Sequence, residues 1–369
     1  MRSRSFLARH SEHAFWIAVF ALVATGLVMV YSSSFILAAE RFKDGLYFFK
    51  RHVLYCGFGT LFFILGRHLN SYQLQKLAKP LLIFATLALV ATLIPGIAHR
   101  VGGASRWISF FGFRFQPGEL AKFAVILFVA SQLQKKLAYQ DSWKTGFLTY
   151  FVGVIPIYFA LLLQPDFGTF VLLIATTMCM LWGAGVRLKY LLGTTLAFFP
   201  IAATLILAKP YRKARLLAYL DPWSDPAHKG FQIIQSFVAF YEGSFFGVGL
   251  GNSREKLFYL PEAHNDFIFS VIGEELGLLG VVFVIALFLL IIRHGIQTAL
   301  RTQNTFNRGL ALGITSVLGL QAFCNMGVVT GLLPTKGFPL PLVSYGGSSL
   351  LVTLFMLGIL SRLAETKSQ

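Results

Sequence analysis

The residues best suited to chemistry crowd between Tyr241 and Gly280, in the stretch YEGSFFGVGLGNSREKLFYLPEAHNDFIFSVIGEELGLLG. Gly243, Gly247, Gly249 and Gly251 let main chain come close to a ligand, and Arg254 and Lys256 supply cations for an anion. Asp266 stands where this polar run meets an apolar one, from Phe267 to Ile292, that only Ser270, Glu274 and Glu275 interrupt. A carboxylate there reaches both water and lipid, and as a general base it could take the proton of an attacking hydroxyl. The pattern suits chemistry on a lipid-linked anion. The plain alternative for Asp266 is an acid favoured at the start of a helix. Glu274 and Glu275 are neighbours on that helix and diverge by about 100°, so at least one is expected to have a structural partner.

Further candidates lie elsewhere. VGGASRWISFFGFRFQPGELAK places Arg106 beside Trp107, just before a helix that Pro117 can start. Arginine next to an aromatic suits either a phosphate near the headgroups or an ordinary interfacial belt. Glu119 and Lys122 are three apart and share a helix face. They are either a dipole-favoured acid with its lysine or, since Lys122 lies in an apolar segment, groups that face a cavity. Asp166 in QPDFGT reads as a turn former. Arg212, Lys213 and Arg215 suit a diphosphate or lipid headgroups. Lys336 sits among the prolines and glycines of NMGVVTGLLPTKGFPLPLVSYGGSSL, where Ser344, Tyr345, Gly346 and Gly347 break the start of the last span. Broken backbone at that depth must be buried in protein or line a watery cavity. The eight histidines are scattered without HExxH, so no zinc-type centre is expected, and a loosely held divalent cation stays open.

The elements that must position these groups are membrane helices. Of 369 residues 56% are hydrophobic and only 13% charged, and the mean hydropathy of +0.68 is that of a polytopic membrane protein. The net charge of +17 is spread over short segments between apolar stretches, which fits topology rather than nucleic-acid binding. Ten spans are predicted, at about Ala14–Leu37, His52–Leu65, Pro80–Pro95, Gly118–Ser131, Phe147–Leu163, Phe167–Gly185, Lys189–Ala208, Phe267–Ile292, Leu310–Gly331 and Leu342–Leu360. The excess of lysine and arginine in alternate short loops puts both termini in the cytoplasm and the long loop, residues 209–265, outside. Within it YRKARLLAYL and FQIIQSFVAFY read as interfacial helices around the turn DPWSDP. The whole of 1–369 reads as one membrane domain. Cys56, Cys179 and Cys324 fall in apolar runs and read as small buried hydrophobes.

GGASRWI, FQPGELAK, PDFGT, YRKARLLAYLDPW, GVGLGNSREKLFYLPEAHNDFIFSVIGEELGLLG and GLLPTKGFPLPLVSYGGSSL, in this order along nearly the whole chain, resemble the SEDS family of cell-wall glycan polymerases. LPEAH together with LPTKG is nearer to the division branch of that family than to its elongation branch. The chain departs from the family in having Gly118 where serine is usual, and Glu242, Gly243 and Ser244 where a double glycine is usual. The resemblance implies a ten-span fold in the inner membrane and glycosyl transfer on lipid II at its outer face, extending a nascent glycan at the septum. It implies a class B penicillin-binding protein as partner within the division machinery, and it places the family's catalytic aspartate on Asp266. A lipid diphosphate leaves readily once neutralised, so one base and several cations suffice: Arg106, Arg215, Lys256 and Lys336, with Glu119 and Lys122 nearby in role. The rival readings are a transporter that flips lipid II and a noncatalytic scaffold. A transporter would place charges along a midplane path, whereas these motifs collect on one predicted face.

Overall fold

A computed structural model describes residues 2–95, 98–101, 104–110, 113–136, 148–207, 210–228, 230–254 and 263–365. In chain order it has helices α1 (Arg2–Phe42), α2 (Tyr47–His68) and α3 (Ser71–Ala91), and strands β1 (Ala98–Val101), β2 (Ala104–Phe110) and β3 (Phe113–Phe115). Then come α4 (Pro117–Lys136), α5 (Thr149–Val152), α6 (Ile155–Leu163), α7 (Phe167–Gly183), α8 (Leu188–Leu207), α9 (Pro210–Leu220) and α10 (Phe231–Gly243). The last three are α11 (Ile268–Arg301), α12 (Thr305–Val329) and α13 (Gly347–Glu365).

The chain is a polytopic helical membrane protein. Helix α1 from Glu12 onward, with α2, α3, α11, α12 and α13, has the length and apolarity to cross a bilayer whose core needs about 20 residues. The other predicted spans fall on α4, on α5 with α6, on the apolar but shorter α7, and on α8. Phe147 and Ala208, at the ends of two of them, lie outside the described residues. The last span starts at Gly347 rather than Leu342, because residues 341–346 form turns. The three strands pair antiparallel in the order β1-β2-β3. This small sheet is absent from the sequence reading.

The chain divides into two compact units. The first comprises Met1–Gly57, Leu196–Ile291 and Gln321–Gly346. Here α9 and α10 appear where the long loop was expected to form helices, around a tight turn at Pro222–Ser224 that Asp221 caps. Ser236 of α10 donates to the Val329 carbonyl of α12 at 2.5 Å and meets the Ser270 hydroxyl of α11 at 2.7 Å, which joins the three helices through buried hydroxyls. Helix α11 breaks at Gly277, whose φ of 64° is a conformation only glycine takes without strain. The break frees backbone groups that lipid cannot satisfy. The turn after α10 meets them: Val248 and Gly249 donate to the carbonyls of Glu274 and Glu275, and Leu278 and Leu279 donate to those of Ser244 and Phe245. Ser244 is held at φ 47°, so a side chain stands there in a conformation that glycine takes without strain.

The second unit comprises Phe58–Thr195, Ile292–Leu320 and Gly347–Gln369. Helix α4 is its centre: it packs on α3, α7 and α13, and residues 121–131 are all buried, as expected of a helix apolar on every side. Helix α3 starts with a capping box in which the Asn70 side chain accepts from the Gln73 amide and the Gln73 side chain accepts from the Asn70 amide. Asp166 caps α7 by accepting from the Thr169 amide, which bears out its reading as a turn residue.

Candidate functional site

In the first unit Asp266 is half-buried in the turn that leads into α11. Its carboxylate lies against the main chain of Gly337. A Cβ built at Gly337 would stand 2.2 Å from the Asp266 Oδ2 and 3.7 Å from its Oδ1, so any side chain there would have to displace the carboxylate. This contact carries Lys336, the residue before Gly337, into the neighbourhood of Asp266. The Lys336 ammonium stands 4.4 Å from the centre of the Phe338 ring, a cation held on an aromatic face. The structure thus joins two motifs some seventy residues apart.

The basic cluster of α9 divides. Arg212 is buried, whereas Lys213 and Arg215 are exposed. Tyr219, further along α9, donates from its hydroxyl to the Leu332 carbonyl at 3.1 Å, which fastens α9 to the start of the segment that carries Lys336. Lys256 lies outside the described residues. Glu274 and Glu275 are both buried and both partnered. Glu274 accepts from the Ser253 hydroxyl and from the Arg254 amide at 2.6 Å. Glu275 accepts from the Ser32 hydroxyl of α1 at 2.6 and 2.8 Å. Both therefore act as anchors, and Glu274 holds the point where the glycine-rich segment departs toward Asp266.

Two residues before Asp266, the His264 ring stands 4.6 Å from Phe48 and 5.8 Å from Tyr345 between ring centres. Burial pushes the Tyr345 phenol up to about 12, with Tyr55 adding to the rise and Arg51 opposing it, so this group is a neutral hydroxyl at ordinary pH. Arg51, whose guanidinium carbon stands 4.7 Å over the Tyr47 ring, is a cation of this neighbourhood that sequence reasoning missed. It comes from the first turns of α2, and no local pattern ties it to a loop two hundred residues later.

The remaining candidates belong to the second unit. Arg106 on β2 is half-buried and donates from Nη2 to the Pro165 carbonyl at 2.6 Å, while its Nε is buried without a hydrogen bond. Strand β2 is thereby tied to the turn that ends in Asp166. Glu119 and Lys122 share a face of α4 as their spacing requires. Their side chains are 7% and 4% exposed and pair at 2.7 Å, off the line of a good hydrogen bond at the Glu119 Oε2, so the attraction there is one of charge. Gly118, where the resemblance leads one to expect serine, leaves room for a small side chain. An added Cβ would meet nothing closer than Asp166 Oδ2 and Gln116 Nε2, each at 3.8 Å. Ser348, at the start of α13, accepts from the Gln116 amide at 3.1 Å and donates to the Arg114 carbonyl at 3.2 Å. The first turns of α4, α7 and α13 therefore meet around buried carboxylates and one buried lysine. Among the described residues no three His, Cys, Asp or Glu side chains gather as a metal ion would require. A divalent ion would rest chiefly on a substrate's own phosphates.

Residues 12–369 match the profile of the cell cycle protein family that joins FtsW, RodA and SpoVE. A Geobacter metallireducens protein named probable peptidoglycan glycosyltransferase FtsW is 48% identical over 340 residues, covering 92% of this chain and 91% of its own. A chain from a peptidoglycan synthase complex, described as coordinating polymerization and crosslinking, superposes with a TM-score of 0.78 at 29% identity, over 96% of this chain and 98% of that one. The rod shape determining protein RodA of Thermus thermophilus superposes with a TM-score of 0.70 at 25% identity, over 96% and 97%.

Proposed function

Because the chain belongs to the cell cycle protein family of FtsW, RodA and SpoVE, we propose that it is a peptidoglycan glycosyltransferase of septal wall synthesis, of the FtsW kind, and that it polymerises lipid II. Identity of 48% across nine-tenths of the chain to a protein of that name is the observation that carries this reading. The site supports a specific division of labour. Asp266 takes the proton of the acceptor hydroxyl as its oxygen forms the new bond to the anomeric carbon of the donor. The bond from that carbon to the lipid diphosphate breaks at the same time, and the diphosphate leaves with the electron pair. Cations stabilise the charge that gathers on it, and acid catalysis is not needed for so good a leaving group. Lys336 is the first candidate for this role because its segment touches the Asp266 carboxylate. Arg106, Arg215 and Lys256 are the others, with Glu119 and Lys122 as substrate-contacting groups on α4.

A class B penicillin-binding protein is the proposed partner, supported by the likeness to a chain of a complex that couples polymerization with crosslinking, and the other division proteins are its proposed wider setting. Purified protein in detergent should convert lipid II into glycan, faster with the cognate penicillin-binding protein. No bilayer remains to be crossed there, so transport cannot produce the signal. Failure to polymerise, alone and with the partner, would sink the enzyme reading and restore the transporter and scaffold.

Residues 209–265 are proposed to face the outside, with both termini in the cytoplasm, on the strength of the basic-residue asymmetry. Ser224 and Asn252 are exposed within this region. In a background without native cysteines, Ser224→Cys and Asn252→Cys should each react with an impermeant thiol reagent in intact spheroplasts. Reaction only after lysis would invert the topology.

A further inference from the structure

The turn that carries Asp266 offers three consecutive main-chain carbonyls, and each accepts a hydrogen bond from a distant part of the same unit. The His264 carbonyl accepts from the Tyr345 amide at 3.0 Å. The Asn265 carbonyl accepts from the Ser344 hydroxyl at 2.6 Å. The Asp266 carbonyl accepts from the Asn325 side-chain amide at 2.8 Å. That amide nitrogen has a second hydrogen, which goes to the Phe338 carbonyl at 2.5 Å. Both partners are carbonyls, so the nitrogen and not the oxygen must face them.

The arrangement joins the two sides of one contact. Asp266 and Phe338 flank the place where the carboxylate meets Gly337, and one buried amide holds a carbonyl from each. One turn earlier on α12, Gln321 donates to the Pro339 carbonyl at 2.9 Å and fixes the same strand of chain. Ser344 closes the other end, since its oxygen also accepts from the Leu340 amide at 2.7 Å. The side chains of Gln321, Asn325 and Ser344 are buried, which limits the competition of water for the bonds they donate.

The geometry points to Asn325 and Ser344 as positioning residues for Asp266, which fix the main chain on which the carboxylate turns and the gap between it and the Lys336–Gly337 segment. The inference rests on the reading of Asp266 as the base. A base works only within a narrow range of distances to its proton, and a misplacement of about 1 Å can cost about 100-fold in rate.

The test compares Asn325→Leu, Ser344→Ala and Ser344→Thr, purified in detergent, by thermal midpoint, kcat and KM for lipid II polymerisation, beside Asp266→Asn. Asn325→Leu keeps the size and removes the donors; Ser344→Ala removes one oxygen. Each should lower kcat by about 10- to 100-fold with KM within about twofold, and Ser344→Thr, which keeps the hydroxyl, should recover most of the rate. A merely structural role would instead lower the midpoint and the amount of active protein, leaving kcat per active molecule intact. Unchanged kcat in Ser344→Ala, or an effect on KM alone, overturns the positioning role even if Asp266→Asn is inactive, and the base reading then stands. Activity in Asp266→Asn removes the base reading itself. Should Asn325→Leu not fold, Ser344→Ala and Ser344→Thr decide between them.

Discussion

Asp266→Asn should lower glycan polymerisation by about 100- to 10,000-fold, the usual contribution of a general base, while the protein still reaches the membrane and binds lipid II. Asparagine keeps the size of the side chain and its place against Gly337 but lacks a basic oxygen. The alternative, an acid that merely favours the start of α11, makes the opposite forecast, because asparagine and aspartate serve about equally well at a helix start. In the structure α11 begins at Ile268, two residues beyond Asp266, and the carboxylate lies against the segment that bears Lys336. Rates should be measured on purified protein with its partner, alongside lipid II binding. Near wild-type polymerisation by the asparagine variant would end the general-base assignment, and loss of binding together with rate would move Asp266 to a substrate-holding role.

Much of this site was legible because its signals are local. The junction at Asp266 is visible as a change from glycine and charge to a long apolar run that only Ser270, Glu274 and Glu275 interrupt. The same kind of reasoning finds α9 and α10 from apolar residues at helical spacing around DPWSDP, and the turn before α7 from QPDFGT, though not the cap that Asp166 makes there. What escaped is of two kinds. The sheet carried a partial signal: ASRWISF holds Trp107, Ile108 and Phe110 and is bounded by Gly102 and Gly103 on one side and Gly112 on the other, the composition of a short strand between turns. The membrane composition overshadowed it.

The second kind had no local signal. Glu274 and Glu275 diverge on the helix as expected, yet both find partners, because Ser253 approaches one side and Ser32 of α1 the other. The break at Gly277 is tolerable only because residues 244–249 return to satisfy the freed backbone. Asn325 reads in sequence as one more polar residue in an apolar helix, and only the folded chain brings the carbonyls of Asp266 and Phe338 to it. Long-range hydrogen bonds of this sort set the site's geometry, while the sequence pattern sets its chemistry.

Lys122→Met alone should destabilise the protein by about 3 to 5 kcal/mol, the cost of leaving a buried partner charge uncompensated. Glu119 and Lys122 are almost wholly buried and pair at 2.7 Å on the most enclosed helix of their unit. Removing both charges in Glu119→Gln/Lys122→Met should restore part of the stability, because a buried ion pair replaced by neutral groups of similar size is often neutral or better, while the buried Asp166 near the start of α4 keeps its charge. The double variant is then the informative protein, since it is folded and lacks only the charges. If α4 contributes substrate contacts as proposed, it should show a KM for lipid II raised by about 10-fold or more, the equivalent of losing a charge-assisted contact of about 1.5 to 3 kcal/mol. A double variant with wild-type kcat and KM would make the pair a structural element of the second unit. An unstable double variant would instead show that these charges are held by further partners, and would remove the simple pair from the account of α4. The single Lys122→Met variant cannot separate these outcomes, because loss of fold and loss of a substrate contact both lower its activity; stability measured in detergent without substrate, followed by kinetics on the double variant, does.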